Sequence, residues 1–365
     1  MSRYIVGWRA YIEWCIPRGI VEYAGEIRRT NLSDLCDWQK VRRVWEFLTF
    51  RESSSGRTLQ TLRLNPIKDD DLILMLVVRD GCVRLPFFLE YYRKLGISHF
   101  FVVDNGSADR TREVVLQQPD CSLWTTQQRY STARSGVHWS NYLLRRYCMD
   151  KWVLTVDIDE FLVYPEMESR SLRDLVGFLD RVGCTSMFAP MIDCYSAGYL
   201  SQACYHPGDD PLDICPYFDK TGYYANWSRN GQLYLKGGPR YRAFFSERPQ
   251  DAPALNKTPL VRWMTGTRYI NSTHNMKPLQ PLIYDKNGPV PSGALLHFKF
   301  FSEFESEVRN EVDRGEHWKG ALQYRQYERK LQQAKDLNLF CEISEKYKSV
   351  SDLELAGLVW RGSWG

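Results

Sequence analysis

From residue 72 onward the sequence keeps one rhythm, in which a short apolar run ends in polar residues and an amphipathic segment follows. LILMLVV (72–78) is an apolar run of strand length, and LPFFLEYYRKLG (85–96) has helical periodicity with Gly96 placed as its C-cap. ISHFFVVD (97–104) predicts a second strand and DRTREVVLQQ (109–118) a second helix. A short strand over 122–126, a helix through GVHWSNYLLRRYC (136–148) and the strand WVLTV (152–156) continue the series. Strands that alternate with helices at this spacing specify an α/β fold with a mostly parallel sheet, and such sheets bind ligands beyond the carboxyl ends of their strands. The polar residues at those ends are therefore the first functional candidates.

Further on, a helix over SLRDLVGFLDRV (171–182) and one strand through SMFAPMID (186–193) are expected. Residues 194–295 are rich in Gly, Pro, Asn and Tyr, and SRNGQLYLKGGPRYR (228–242) reads as hairpins and ligand-facing loops. The periodic, charged stretch FSEFESEVRNEVDRGEHWKGALQYRQYERKL (301–331) predicts one or two closing helices. Three regions result: a helical N-terminal extension over 1–68, a core domain over 69–300 and a helical C-terminal segment over 301–365. Within the extension, RESSSGR (51–57) reads as an exposed loop.

A formal net charge of +4, with 48 Lys and Arg against 44 Asp and Glu, gives no electrostatic case for a nucleic-acid partner. The ten cysteines lack metal-ligand or framework spacing and read as the reduced thiols of a cytoplasmic protein. No run of about 18 apolar residues occurs, so a spanning segment is not expected. Trp8, Arg9, Tyr11, Trp14 and Arg18 suggest an amphipathic face that packs on the main domain or makes a peripheral contact with the inner membrane.

LTVDIDEFLVYP (154–165) ends a strand with three carboxylates. On a strand, Asp157 and Asp159 share a face and Glu160 takes the other, where it can orient the turn. Two like charges so placed need a cation, a hydrogen-bond network or a shared proton, and Mg²⁺ or Mn²⁺ is the economical partner. A solvated turn is the plain alternative. Two other strand ends join it: FFVVDNGSADRT, where Asp104 and Asn105 could meet a ribose or base ahead of a helix N-terminus, and VVRDG, where Arg79 and Asp80 end the first strand. Neither turn carries a dinucleotide-binding or P-loop fingerprint.

VVRDGCVRLPFFLEYYRKLGISHFFVVDNGSADRTREVV, then YSTARSGVHWSNYLLRRY and WVLTVDIDEFLVYP, resembles bacterial glycosyltransferases related to families 2 and 92, over roughly residues 71–316. GGPR (237–240), KTPLVRW (257–263) and ALLHFKF (294–300) fit the same group. The resemblance implies a GT-A fold, a nucleotide-sugar donor, expected to be UDP-linked, and transfer of one sugar to a hydroxyl of a cell-envelope glycan or lipid-linked acceptor. It implies that Arg79, Asp80, Asp104 and Asn105 hold the nucleoside, with Asp157 near ribose and metal. Asp159 would be the direct ligand of Mn²⁺ or Mg²⁺, with His297 completing that site, and Arg134 and Arg240 would meet phosphates. Arg79-Asp80-Gly81 stands where many relatives have an Asn-Glu pair, which leaves the nucleoside contacts open. An inverting reaction needs a carboxylate base, for which Asp193 is the first candidate and Glu247 the second. A noncatalytic glycan-binding protein using the aromatic loops of 195–245 is one alternative. A D-x-D phosphatase is another, although its motif would belong on the first strand.

Overall fold

The computed structural model describes residues 54–227, 233–316, 318–334 and 336–364. The Trp and Arg face of the extension lies outside the described residues. Along the chain come β1 (Gln60–Arg63), β2 (Ile73–Val78), α1 (Leu85–Leu95), β3 (His99–Asp104), α2 (Thr111–Leu116), β4 (Cys121–Thr125), α3 (Val137–Tyr147) and β5 (Trp152–Thr155). Next are β6 (Glu160–Val163), α4 (Leu172–Arg181), β7 (Ser186–Met187), β8 (Met191–Asp193), α5 (Pro211–Ile214), β9 (Tyr217–Asp219), β10 (Tyr224–Trp227) and β11 (Leu233–Lys236). Then follow β12 (Leu260–Arg262), β13 (Arg268–Asn271), β14 (Asn275–Lys277), β15 (Ala294–His297), α6 (Phe304–Arg314), α7 (Trp318–Gln333), β16 (Ser344–Lys346) and α8 (Val350–Leu355).

The main sheet has seven strands in the order β1-β4-β3-β2-β5-β12-β7. Its central strands β4, β3, β2 and β5 run parallel. The chain lays down β2, adds β3 and β4 on one side, then crosses to the other side of β2 for β5. Strand order thus reverses between β2 and β5, and a reversal of this kind opens a crevice at their carboxyl ends. β2 is apolar throughout because both faces are covered: Leu74, Leu76 and Val78 enter one core with α1 and α4, while Ile73 and Met75 enter another with α3. In α1, Phe88, Leu89 and Tyr92 are buried, and the helix ends where Gly96 takes φ +104°, its N–H donating to the Arg93 carbonyl at 3.0 Å.

A second sheet has three strands in the order β6-β15-β8. β15 pairs antiparallel with β6, setting His297 opposite Glu160, and parallel with β8, setting His297 opposite Asp193. The single strand expected over 186–193 is therefore two. β7 belongs to the main sheet and β8 to the second, with the break at Phe188-Ala189-Pro190, where Pro190 has no N–H for a ladder.

Other expectations change in similar ways. Tyr224–Trp227 and Leu233–Lys236 do pair antiparallel, but GGPRYR runs into a π-helical turn at Arg240–Phe244. The C-terminal segment is not only helical, since β16 pairs with β9. Within 1–68, Ser54–Thr58 is a 3-10 turn whose Gly56 is buried against Tyr142, and β1 is an edge strand antiparallel to β4. Part of the expected extension thus belongs to the core sheet.

Arg63 explains why β1 docks there. Its guanidinium donates to the carbonyls of Cys121 at 2.8 Å, Leu116 at 2.7 Å, Val115 at 2.9 Å and Gln118, closing the orphan carbonyls after α2. We predict that Arg63→Ala lowers the unfolding free energy by about 2 kcal/mol in urea titrations, and that Arg63→Lys recovers less than half, because an ammonium cannot span the fork. Full recovery by lysine would show that charge alone docks the strand.

Candidate functional site

The crevice between β2 and β5 holds a cavity of about 360 Å³. Val77, Val78 and Arg79 from the end of β2 form its floor with the 157–160 turn. Lys257, His297 and Lys299 line it too, as do Tyr324 and Tyr327 of α7, and Lys299 Nζ donates to the Tyr324 hydroxyl at 3.2 Å.

The carboxylates lie in a turn rather than on a strand, because β5 ends at Thr155 and β6 begins at Glu160. Glu160 clamps that turn: its N–H donates to the Asp157 carbonyl and its Oε2 accepts from the Asp157 N–H, both at 3.1 Å. The turn sits close over β2. A Cβ at Gly81 would come within 2.5 Å of Val78 and 2.7 Å of Ile158, so the residue after Arg79-Asp80 has no room for a side chain.

A protein cation already answers two of the three charges. Lys257, with its side chain 2 % exposed, places Nζ 2.7 Å from Glu160 Oε1 and 3.0 Å from Asp157 Oδ2. Burial pushes Glu160 up to about 7 against the Lys257 charge, and Asp157 and Asp159 add to the rise. Burial opposes the Lys257 charge in turn, but the two carboxylates outweigh it and raise its pKa. Lys257 stays charged, because Asp157 and Glu160 both offer it acceptors whether or not Glu160 carries a proton.

Asp159 belongs to a separate chain of contacts. Its Oδ2 lies 3.2 Å from His297 Nε2, His297 Nδ1 lies 2.6 Å from Asp193 Oδ1, and Arg240 Nε donates to Asp193 Oδ2 at 2.7 Å. Burial works to raise the Asp159 carboxyl, but His297, Arg84 and Lys299 outweigh it and hold it below the ordinary range. Burial disfavours the His297 imidazolium, yet Asp159 and Asp193 raise its pKa above the ordinary histidine value. Arg240 Nη2 is buried with no acceptor in hydrogen-bonding geometry, although the Tyr327 hydroxyl lies near the guanidinium.

A divalent ion would fit these residues with His297 Nε2 deprotonated, the ion replacing that proton between the ring and Asp159. Neighbouring ligand atoms on an octahedral ion with bonds of about 2.1 Å stand about 3 Å apart, close to the Asp159–His297 separation. Asp193 on the far ring nitrogen is the carboxylate that commonly orients a metal-binding histidine. Among the described residues no group of three or more His, Cys, Asp or Glu side chains converges on one point. A bound ion would thus take two protein ligands, with oxygens of a phosphate substrate or water completing its shell.

Of the residues singled out in the sequence, Arg79, Asn105, Asp157, Asp159, Arg240 and His297 line the cleft. Others do not. Asp104 is fully buried and accepts from the Ser107 N–H and the Thr125 hydroxyl, so it builds the DNG turn instead of facing a ribose. Asp80 accepts from the Ala108 N–H at 2.7 Å and so holds the loop that precedes α2. Arg134 is exposed on the 129–135 turn. Asp193 lies beneath His297 with both oxygens engaged, which excludes direct contact with an acceptor. Glu247 is exposed and paired to Lys330 at 2.6 Å, away from the cleft.

Sequence reasoning passed over Lys257 and Lys299. HFKF carries a usable signal, since His297 and Lys299 alternate with Phe298 and Phe300 and so share a face. Lys257, just before the buried strand β12, gave only the weaker hint of a charge beside an apolar run. His274 was also missed. It lines the cleft, with Nδ1 donating to the Asn256 carbonyl at 2.7 Å, and burial together with the Lys257 charge lowers it to about 3.

No family model matches the chain, and no curated protein does. Among solved structures it is similar to a 4-diphosphocytidyl-2C-methyl-D-erythritol synthase at 17% identity, covering 36% of this chain and 64% of that one, with a TM-score of 0.24. It is also similar to HddC from Yersinia pseudotuberculosis at 6% identity, covering 52% and 73% of the two chains, with a TM-score of 0.24. A third is the inositol-1-phosphate CTP transferase from T. maritima at 8% identity, covering 80% and 96%, with a TM-score of 0.26. The chain spans less than two thirds of the synthase.

We predict that Lys257→Met costs about 3–5 kcal/mol of stability by stranding two carboxylates, and that adding Glu160→Gln restores most of it. Urea titration of both variants checks this, and a double variant no better than the single would refute the pairing. His274 has a folded pKa below its ordinary value of 6.5, so its contribution is present above that pH and is lost as the pH falls toward 3. His274→Asn, whose amide can replace Nδ1–H, should flatten the stability profile across that window. An unchanged profile would assign the acid sensitivity elsewhere.

Proposed function

We propose that the protein is a metal-dependent glycosyltransferase that moves a sugar from a UDP-linked donor to a hydroxyl of a cell-envelope glycan or lipid-linked acceptor, with inversion. The observation that carries this reading is the orphaned, buried Arg240 Nη2 in a cleft it shares with Asp159, His297, Lys257 and Lys299 at the strand reversal. Buried donors without partners are rare, and a diphosphate supplies the missing acceptor.

Arg79 and Asn105, at the ends of β2 and β3, would flank the nucleoside. Arg240, Lys257 and Lys299 would receive the diphosphate, and Asp159 and His297 would hold Mn²⁺ or Mg²⁺. The ion would offset the charge that develops on the departing diphosphate. Asp193 fixes the His297 ring and is a positioning residue. In the transfer, the acceptor oxygen bonds to the anomeric carbon, the bond from that carbon to the diphosphate oxygen breaks, and the acceptor proton passes to a carboxylate. Glu311 of α6, which lines the cleft and pairs through Oε1 with Arg314 at 2.6 Å, would take that role.

No described helix is long and apolar enough to cross a membrane. The reading places the enzyme in the cytoplasm with a peripheral contact at the inner membrane, where lipid-linked acceptors would be met.

We predict that UDP-sugars raise the melting temperature in the presence of Mn²⁺, and that Asp159→Ala removes both this shift and transfer while the unliganded melting temperature stays within a few degrees. An Asp159→Ala enzyme that turns over normally with added Mn²⁺ would refute the assignment. Glu311→Gln should lose about 10²- to 10⁴-fold in turnover and keep UDP binding. A fully active variant would move the base elsewhere.

A further inference from the structure

The β10–β11 hairpin presents an aromatic surface that the donor cleft does not use. Tyr224 lies opposite Lys236 and Asn226 opposite Tyr234, so these four side chains share one face, with rings and polar groups on alternate diagonals. Tyr224 is 58% exposed and Tyr234 36%. On the other face Leu233 is buried, while Ala225 and Trp227 are exposed and Trp227 adds a further ring to the groove lining. Tyr241 closes one side, its ring 5.0 Å from that of Tyr224. Pro249 and Gln250 close another, pinned by Lys236 Nζ, which donates to their carbonyls at 3.2 and 2.6 Å. The result is a concave groove of about 460 Å³, within the range of small-ligand sites.

Two segments tie the groove to the cleft. Arg240 lines the cleft and Tyr241 the groove; Pro253 and Ala254 line the cleft while Pro249 and Gln250 line the groove. The groove and the cleft are thus built from adjacent residues of the same two segments.

We propose that this groove binds a neutral oligosaccharide, the acceptor of the reaction. Sugar rings offer C–H faces that stack on the negative face of aromatic rings and hydroxyls that suit the Asn226 and Gln250 amides. Among the described residues Lys236 is the one charged residue of the lining, and its ammonium is engaged with backbone carbonyls, so it offers an anionic chain little. A membrane-seeking face would protrude and would lack the amides. Binding of oligosaccharide stands on the groove alone, whereas its role as acceptor rests on the transferase reading.

The test titrates full-length protein with maltohexaose, cellohexaose and chitohexaose by calorimetry, and separately with UDP and Mn²⁺, using Tyr224→Ala and Tyr234→Ala as variants. Both tyrosines are surface residues, and the melting temperature of each variant confirms folding. The expected result is that at least one hexasaccharide binds, that each substitution weakens it about tenfold, and that UDP affinity is unchanged. No binding by any of the three, or binding that the substitutions leave intact, overturns the proposal. Sedimentation with phosphatidylglycerol vesicles that the same substitutions abolish would reassign the face to a membrane and also overturn it. Hexasaccharide binding without UDP binding would instead sink the transferase reading and leave the groove standing.

Discussion

The candidate site depends on one row of a three-stranded sheet. β15 brings His297 abreast of Glu160 on one side and Asp193 on the other, joining three segments that are far apart in the chain. Side chains alternate between faces along a strand, so a slip of one residue in β15 would turn His297 away from Asp159 and leave the buried Asp193 with Arg240 alone. Arg84 helps to fix this edge: it donates to the Phe298 carbonyl at 2.6 Å and pairs with Glu307 of α6 at 3.0 Å, linking the end of β15 to that helix.

Charge in the cleft follows from the same register. Asp157 and Glu160 share Lys257, while Asp159 and Asp193 share His297, so the carboxylates divide between two cationic partners. The division keeps the turn folded without added ions, and buried charges persist only when paired in this manner. It also leaves functional capacity. Asp157 keeps half its side-chain surface exposed, and Arg240 retains a donor with no acceptor. An anionic substrate can enter such a site without first breaking the pairs that hold the turn.

The main sheet was legible because its evidence is local. β2, β3 and β5 are apolar runs bounded by polar turns, and α1 and α3 have clear helical periodicity. The strand-end rule also led to Arg79, Asn105, Asp157 and Asp159. It did not separate neighbours: Asp104 and Asn105 sit at the same strand end, yet Asp104 folds back on its own turn, whereas Asn105 borders the cleft with its amide donating to the Thr126 and Gln128 carbonyls. Asp80 looked like a ligand residue and instead caps the 107–109 loop. The second sheet left little local trace, since β8 has three residues and follows a proline break. Asp193 was accordingly read as a base in reach of substrate, when its place beneath His297 depends on a pairing between distant segments.

The central claim is that Asp159 and His297 together form the protein's share of a metal and diphosphate site. Electron-spin-echo spectroscopy of the protein with Mn²⁺ and UDP tests it most directly, because a coordinated imidazole nitrogen modulates the manganese echo. The account predicts ¹⁴N modulation in the wild type and its loss in His297→Gln, with phosphorus coupling from UDP in the wild-type complex. Phosphorus coupling without any nitrogen contribution from His297 would contradict it.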